Sequence, residues 1–117
     1  MRHLNLLVLR CGDIERCRAF YELLGLRFVK HAHGSGPEHY AHEDERGVFE
    51  LYPAGETAPP DSTGLGFTAA DLEPVRQALE SHGHAPGGIK ETEWGVGFVV
   101  RDPDRRRVEV KRRAAPT

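Results

Sequence analysis

Two glutamates at matching places in the chain are the residues best suited to chemistry. Glu50 lies in residues 48–51 (VFEL), and Glu109 lies 59 positions later in residues 107–110 (RVEV). Apolar residues flank each glutamate, and side chains alternate between the two faces of a strand, so both carboxylates are predicted to point away from a helix-packed core. A carboxylate in that position can act as a general base or as a metal ligand. We therefore predict that Glu50 and Glu109 are catalytic residues and metal ligands.

Histidines are concentrated shortly before Glu50, at His31, His33, His39 and His42. His39 lies in a predicted strand that forms a hairpin with the strand of Glu50, and two registers of this hairpin are open. If Tyr40 pairs with Glu50, then Tyr40 and His42 share the face of the glutamate. A register that differs by one residue puts His39 there instead. We predict His39 as a third metal ligand, and His39, Tyr40 and His42 as substrate-binding residues.

Three further aromatic residues are predicted to bind substrate: Tyr52, Trp94 and Phe98. Tyr52 follows Glu50 by two positions on the same predicted strand, and Trp94 directly precedes the strand that contains Phe98. Aromatic rings offer a large apolar surface on which a planar ligand can stack. We expect them to line a pocket for a small molecule.

The elements that must position these residues occur twice in the chain. When Asp13 is aligned with Asp71, 58 positions later, several positions that follow are identical: Arg18 with Arg76, Glu22 with Glu80, and Gly25 with Gly83. A repeat of this length indicates two modules of the same structure. We predict a single domain, residues 1–117, made of modules at about 1–53 and 64–113 with a linker at 54–63.

Each copy is predicted to form a strand, a helix and three further strands. Asp13 and Asp71 are typical helix N-cap residues, and Gly25 and Gly83 are typical of the position just after a helix. Between these positions, apolar residues recur at helical spacing, and Cys17 is interpreted as a small core residue. The predicted strands are 4–10 (largely buried), 26–31, 38–42 and 48–52 in the first copy, and 65–67, 85–91, 95–101 and 106–111 in the second.

The composition is typical of a soluble globular protein. Apolar residues make up 38% and charged residues 29% of the 117 residues, which is ordinary for such proteins. The net charge of −2 gives no reason to expect a nucleic-acid partner, and no run of 18 apolar residues predicts a membrane span. The basic residues at 105–107 and 111–113 are interpreted mainly as solvated surface charge, and contact between the arginines at 105–107 and an anionic ligand is the alternative. We expect a cytoplasmic location.

Residues 13–21 (DIERCRAFY), 24–26 (LGL) and 49–52 (FELY) resemble the vicinal-oxygen-chelate superfamily, as do 71–73 (DLE), 101–104 (RDPD) and 108–110 (VEV). This superfamily includes glyoxalase I, extradiol dioxygenases and bleomycin-binding proteins. The resemblance implies an α+β fold in which two βαβββ modules form a cupped mixed sheet around a small molecule, the glyoxalase/bleomycin resistance/dioxygenase fold. It also implies a homodimer.

The metal ligands of the glyoxalase-like pattern are only half preserved. That pattern has a histidine seven residues before each helix cap and a glutamate at the end of each module. The four matching residues here are Leu6, Glu50, Gly64 and Glu109. Leucine and glycine side chains cannot coordinate a metal. An oxygen-rich set completed by His39 would suit one divalent ion, and we consider Mn, Fe, Ni or Zn.

Three functions remain open from the sequence. The first is a divalent-metal lyase, isomerase or dioxygenase with a depleted ligand set. The second is a metal-free protein that sequesters a hydrophobic or cationic small molecule of the antibiotic type. The third is a metal-free enzyme that uses one glutamate as a base. The spacing of Gly25, His31, His33 and Glu38 also matches the opening of a cupin motif, but two capped helices argue against a small β-barrel.

Overall fold

Each half of the chain folds as a strand, a helix and three further strands, as the repeat predicts. The computed structural model describes residues 2–55 and 61–113, and the chain divides into two compact units, Met1–Pro60 and Asp61–Thr117. The first unit contains β1 (Leu6–Cys11), α1 (Ile14–Leu23), β2 (Val29–His31), β3 (His39–Asp44) and β4 (Gly47–Pro53). The second contains β5 (Gly64–Ala69), α2 (Leu72–Ser81), β6 (Lys90–Thr92), β7 (Gly95–Arg101) and β8 (Arg107–Arg112).

Each unit has one four-stranded mixed sheet, which confirms the predicted α+β class. The strand order is β1-β4-β3-β2 in the first unit and β5-β8-β7-β6 in the second. The first strand of each unit is parallel to the last, and the other pairs are antiparallel. The last strand of each unit therefore lies in the interior of its sheet, and that strand contains Glu50 or Glu109.

One face of each sheet is buried and the other is open. In the first unit Leu9, Cys11 and Leu51 are buried together with Cys17, Phe20 and Tyr21 of α1. In the second unit the core contains Leu65, Phe98, Val100, Val108 and Val110, with Leu72 and Leu79 of α2. Removal of this apolar surface from water is the main stabilising contribution to each unit. The glutamates lie on the open faces, as the alternation predicts.

The first strand departs from its prediction. Residues 4–10 were expected to be largely buried, but Leu6 is 51% exposed and Val8 is 37% exposed. Both side chains lie on the open face of the first sheet, because Leu9 and Cys11 are the residues that point into the core. An uninterrupted apolar run does not reveal which of its alternate positions is covered.

The helix ends agree with prediction at three of four positions. The Asp13 side chain accepts hydrogen bonds from the backbone N–H groups of Glu15 and Arg16. Asp71 occupies the N-cap position of α2 but makes no such bond, so the expected second capping interaction was wrong. Gly25 and Gly83 follow the two helices with φ of +99° and +87°. Backbone of this left-handed kind favours glycine.

One edge strand of each sheet is shorter than predicted. β2 and β6 have three residues each, whereas 26–31 and 85–91 were expected. Residues 85–89 contain Pro86, Gly87 and Gly88, and of these Gly87 donates a backbone hydrogen bond to the Val99 carbonyl before β6 begins. Proline lacks the N–H that a strand interior requires, so regular pairing starts only at Lys90. No helix within residues 2–55 and 61–113 is long and apolar enough to cross a membrane.

One residue that was interpreted as surface charge is buried. Arg106 is 1% exposed, and its guanidinium donates hydrogen bonds to Asp61, Asp102 and Asp104. Burial alone would lower the pKa of Arg106, but the bonds to Asp61 and Asp102 outweigh it and raise that pKa. The three carboxylates compensate the cost of burying a cation, which explains how an arginine can occupy this position.

Candidate functional site

The hairpin register of the first unit decides which side chains accompany Glu50. Ala41 lies directly opposite Glu50, and Tyr40 lies opposite Leu51. Since residues two apart share a face, His39 points to the same side of the sheet as Glu50. This is the second of the two registers that the sequence leaves open.

Tyr40 and His42 consequently lie on the other side, and their predicted role in substrate binding is not supported. The Tyr40 hydroxyl donates a hydrogen bond of 2.6 Å to Glu15 of α1, which is the largest cause of the lowered pKa of that carboxyl. The Nδ1 of His42 accepts from the backbone N–H of Arg27 at 3.0 Å. Both side chains thus connect the sheet to neighbouring segments of the first unit.

His39 lies at one end of a row of side chains on the open face. Its ring is stacked on Tyr52 with a centroid distance of 4.2 Å and an interplanar angle of 7°. The Arg10 guanidinium also lies over the Tyr52 ring, 4.8 Å from its centroid. Stacking on a ring of this kind is favourable for a cation as well as for an aromatic neighbour. The row Arg10, Tyr52, His39 therefore forms a continuous surface.

Glu50 lies close to one ring nitrogen of His39. The Nε2 of His39 is 3.7 Å from Oε2 of Glu50, and its Nδ1 is 3.3 Å from the Pro37 carbonyl oxygen. A proton on Nδ1 can be donated to that carbonyl, which leaves Nε2 facing the carboxylate. A separation of 3.7 Å is too long for a hydrogen bond. The two groups are therefore positioned to exchange a proton once their side chains move slightly closer. They can also share a proton that belongs to a bound ligand.

The other two histidines of the stretch are also near His39. The ring centroids of His31 and His33 are 5.8 and 5.5 Å from that of His39. These rings do not form a metal cage, however. Within the described residues of either unit, no three histidine, cysteine or carboxylate ligand atoms lie within 4.8 Å of one another.

The surroundings of Glu109 in the second unit differ from those of Glu50. One carboxylate oxygen, Oε2, is 3.1 Å from Nη1 of Arg107, and the other, Oε1, is 3.1 Å from Nζ of Lys111. The hydrogen bonds from Lys111 and then Arg107 lower the pKa of Glu109. The carboxyl is thus held ionised with both oxygens engaged, which makes it a poor general base and a poor metal ligand.

A cleft of about 360 Å³ opens beside Glu109. Its lining includes Lys90, Trp94, Gly97, Arg107 and Lys111. The Trp94 side chain is 76% exposed at the turn between β6 and β7. The volume lies in the lower part of the range of small-molecule pockets. This cleft lies wholly within residues 87–111.

Glycines form part of the floor of this cleft, and its lining includes Gly87, Gly88, Gly95 and Gly97. Outside that lining, Gly66 lies opposite Glu109 on β5, and a Cβ there would approach the glutamate side chain to 3.7 Å. Gly97 lies opposite Lys111 on β7, and a Cβ there would collide with the Val110 carbonyl oxygen. Side chains at these positions would fill the space above the sheet. The absence of Cβ atoms is what leaves the cleft open.

Both aromatic residues predicted to bind substrate in this unit line the cleft, but only Trp94 has an exposed side chain. Phe98 borders the cleft as well, but its side chain is 3% exposed and shares the core-facing side of its partner Val110. Phe98 therefore does not offer the predicted stacking surface. Trp94 does, and its backbone N–H is fixed by a 3.1 Å hydrogen bond to the Thr92 hydroxyl.

The residues present do not fit the divalent metal that the glyoxalase-like pattern implies. Leu6 and Gly64 lie on the open faces of their sheets, where the pattern places histidines, and neither side chain can coordinate. The second unit offers Glu109 alone, with both oxygens in ion pairs. The first offers the pair of Glu50 and His39. Even open catalytic zinc sites use three protein ligands.

Neither Lys90 nor Lys111 was predicted as a site residue, and Arg107 was interpreted mainly as surface charge, with contact to an anionic ligand as the alternative. Arg107 and Lys111 lie two positions before and after Glu109, so alternation alone puts them on its face. Lys90 is on the edge strand opposite Gly97, and the register could not be read before the structure. A test of the charges at i−2 and i+2 of each glutamate would have found the first two.

Comparisons with known proteins agree on the fold. The model of the Glyoxalase/Bleomycin resistance protein/Dioxygenase superfamily matches residues 3–110. A comparison with curated protein sequences finds no significant match. Among solved structures, an antibiotic binding protein, TnmS3 from Streptomyces sp. CB03234, is 23% identical with a TM-score of 0.78, covering 97% of this chain and 98% of that one.

Two further structures show the same similarity. An integron cassette protein from the mobile metagenome of V. Pseudocholerae is 29% identical with a TM-score of 0.72, covering 98% of this chain and 97% of the other. A glyoxalase-related enzyme from Fulvimarina pelagi is 20% identical with a TM-score of 0.74, covering 97% and 89%. At identities below 25%, such a similarity concerns the fold and leaves the site residues to be judged on their own geometry.

Proposed function

The chain belongs to the Glyoxalase/Bleomycin resistance protein/Dioxygenase superfamily, and from this premise we propose that it is a metal-free small-molecule-binding protein. The ligand binds in the cleft beside Glu109, with Trp94 as a stacking surface. Glu109 is not a metal ligand in this protein but part of an ion-paired binding surface. Expectations of a divalent ion and of a catalytic Glu109 are both set aside by this proposal.

The observation that carries the proposal is the pair of ion pairs at Glu109. Each of its oxygens is 3.1 Å from a cationic nitrogen, one on Arg107 and one on Lys111. A metal ion at Glu109 would have to displace or approach these two cations, which opposes its binding electrostatically. The same three charges are compatible with a polar organic ligand that bonds to the cations directly.

The fold is compatible with this kind of function. TnmS3, which shares it, is described as an antibiotic binding protein. The similarity at 23% identity does not extend to a ligand, and the cleft of this chain has its own side chains. The similarity supports the idea that a protein of this architecture can bind a small molecule without catalysing a reaction.

The test compares metal binding with ligand binding in untagged protein. Titration calorimetry with Mn²⁺, Ni²⁺ and Zn²⁺ is expected to show no site of micromolar affinity in the natural chain. The Leu6→His, Gly64→His double variant restores the two missing donors and is the positive control for a regained site. A tight site in the natural chain that is lost in Glu50→Gln, Glu109→Gln would overturn the proposal.

A second candidate is a metal-free enzyme, and the contact between His39 and Glu50 favours it. The imidazole is 5% exposed, is anchored through Nδ1 and has Nε2 directed at the carboxylate. Such a pair can remove a proton from a carbon acid. Deuterium exchange into a panel of ketones and α-keto acids in D₂O, followed by NMR, tests this. Exchange that is lost in both His39→Gln and Glu50→Gln would establish it.

A further inference from the structure

The charges of the cleft beside Glu109 point to the class of its ligand. We propose that this cleft selects planar aromatic anions, whose carboxylate or sulfonate bonds to the basic residues while the ring stacks on Trp94. The inference rests on the proposed function and narrows it. It differs from the hydrophobic or cationic ligand of the binding-protein hypothesis, and it agrees with the anionic ligand that was the alternative role of the arginines at 105–107.

The cleft carries positive charge in a chain whose net charge is −2. Lys90, Arg107 and Lys111 line it together with a single carboxylate, that of Glu109. Three cations and one anion leave a charge of +2 in a space of about 360 Å³. A concave surface with one sign of charge attracts ligands of the other sign. A cationic ligand would meet unfavourable charge here.

Glu109 holds two of the cations in place without exhausting their donors. Arg107 gives it one N–H group of the five on a guanidinium, and Lys111 gives one of three on an ammonium. Their side chains remain 53% and 39% exposed. The unused donors are available to a carboxylate or sulfonate. Since the ion pairs already restrict these two long side chains, an anion loses less by fixing them.

Lys90 supplies a cation that is not already neutralised. It has no ion-pair partner among the residues that the structure describes. Lys90 lies opposite Gly97, which in turn lies opposite Lys111. The two lysines therefore flank a glycine on one face of the sheet, with no side chain between them. An acid group above Gly97 would be within reach of both ammonium groups.

The shape of the cleft favours a flat ring. Trp94 is 76% exposed, although tryptophan is highly buried on average, so the face of its ring is accessible to a ligand in the cleft. The turn that carries Trp94 is fixed by the Thr92 hydroxyl, which accepts from Trp94 N–H and donates to the Gly95 carbonyl. Gly97 also lines the cleft and has no side chain that could project into it. A planar ligand can therefore stack on the Trp94 ring while its acid group lies above the bare sheet at Gly97.

The experiment uses three probes of similar size: 2-naphthoate, N,N,N-trimethyl-2-naphthylammonium and cyclohexanecarboxylate. They separate charge from planarity. Calorimetry measures affinity, and the indole N–H signal in ¹H–¹⁵N NMR spectra reports the site, because Trp94 is the only tryptophan of the chain. We expect 2-naphthoate to shift that signal and to bind at least about tenfold more tightly than either other probe. Raising salt from 50 to 500 mM is expected to weaken its binding several-fold.

Matched variants locate the binding. Lys90→Gln is expected to weaken 2-naphthoate binding about three- to tenfold, while Lys30→Gln in the first unit leaves it unchanged. Trp94→Leu is expected to weaken 2-naphthoate more than cyclohexanecarboxylate. Circular dichroism confirms that each variant is folded. A loss in Lys30→Gln equal to that in Lys90→Gln would overturn the location.

Failure of this inference is distinguishable from failure of the proposed function. If the trimethylammonium probe binds as tightly as 2-naphthoate and shifts the indole signal, the cleft binds small molecules but the anion preference is wrong. If none of the probes binds or shifts the signal, the anion inference is overturned. The metal titration described above then decides separately whether the protein is metal-free.

Discussion

Two equivalent glutamates have opposite neighbours in the two units. Glu50 is accompanied on its strand by Val48 and Tyr52, two positions before and after it, and Glu109 by Arg107 and Lys111. The first carboxylate faces an imidazole at 3.7 Å, and the second is held by two cations at 3.1 Å. The fold thus fixes where each carboxylate points, and its neighbours, His39 for Glu50 and Arg107 with Lys111 for Glu109, decide what chemistry it can perform.

A second pair of equivalent positions, His39 and Gly97, also differs between the two sites. His39 occupies the place beside Tyr52 that Gly97 occupies opposite Lys111. An imidazole therefore covers the first sheet where a glycine leaves the second sheet bare. In this architecture, a pocket therefore depends on positions that lack a side chain as much as on positions with polar side chains.

The largest effect is expected at the turns next to the two glutamate strands. Arg106 is buried against Asp102 and Asp61, whereas Arg46 in the corresponding turn of the first unit is exposed. Arg106→Leu leaves the buried carboxylate of Asp102 and the half-buried one of Asp61 without their cation, and it is expected to lower the free energy of unfolding by about 3–5 kcal/mol. Arg46→Leu is expected to change it by less than about 0.5 kcal/mol. Urea denaturation measures both, and equal effects would contradict the assigned difference.

The next effect concerns the glycine floor. Gly97→Ala places a Cβ against the Val110 carbonyl oxygen and is expected to destabilise the protein by about 1–3 kcal/mol. It is also expected to weaken 2-naphthoate binding. Gly88→Ala, where a Cβ would meet nothing within 4 Å, is the control for stability. If both variants unfold at the same urea concentration as the natural chain, the predicted collision at Gly97 is absent.

Stability at low pH is expected to depend on the second unit. Bonds from the Thr63 side chain and backbone, and then from Arg106, lower the pKa of Asp61 from 3.8 to about 2. The ionised form is therefore favoured in the folded state, so this contribution is complete above pH 3.8 and is lost as the pH falls towards 2. Denaturation at pH steps between 5 and 2 should show the decline. Asp61→Asn should show a smaller decline, and an unchanged slope would contradict the assignment.

The smallest expected effect is on ligand affinity, when each of the two glutamates is replaced by glutamine. Glu109→Gln keeps an oxygen for the neighbouring cations but removes a negative charge from the cleft. One charge at about 6 Å in a water-like medium is worth about 0.7 kcal/mol, so 2-naphthoate affinity should rise about threefold. Glu50→Gln should leave it unchanged. Calorimetry measures the 2-naphthoate affinity of both variants. A higher affinity in Glu50→Gln would place the probe in the first unit instead.

Much of the fold could be predicted because the chain is repeated. The offset of 58 positions located both helices, and alternation put Glu50 and Glu109 on the open faces. The burial of residues 4–10 was mispredicted because Leu6 and Val8 are as apolar as the core positions between them. Sequence periodicity records which residues are apolar and does not record which face is covered.

The site was harder to predict because it depends on register. Both hairpin registers put a polar aromatic residue beside Glu50, and only the structure shows that Ala41 is the opposing residue. The cluster 105–107 was taken for surface charge, yet it contains a buried arginine and an ion-pair partner of Glu109. Charge pattern alone does not distinguish a solvated cation from one that meets carboxylates far away in the sequence, such as Asp61.

The parallel pairing of first and last strands has a consequence for how the chain folds. Leu6 pairs with Val48, 42 residues later, and Gly64 pairs with Arg107, 43 residues later. Contacts this distant in sequence require a large loop to close before they contribute, so folding of each unit is expected to be slow relative to a helical protein of its size. The strand that carries the glutamate is also the last of its unit to be synthesised. Until it arrives, β1 or β5 has no partner, and the chain exposes an unpaired strand edge.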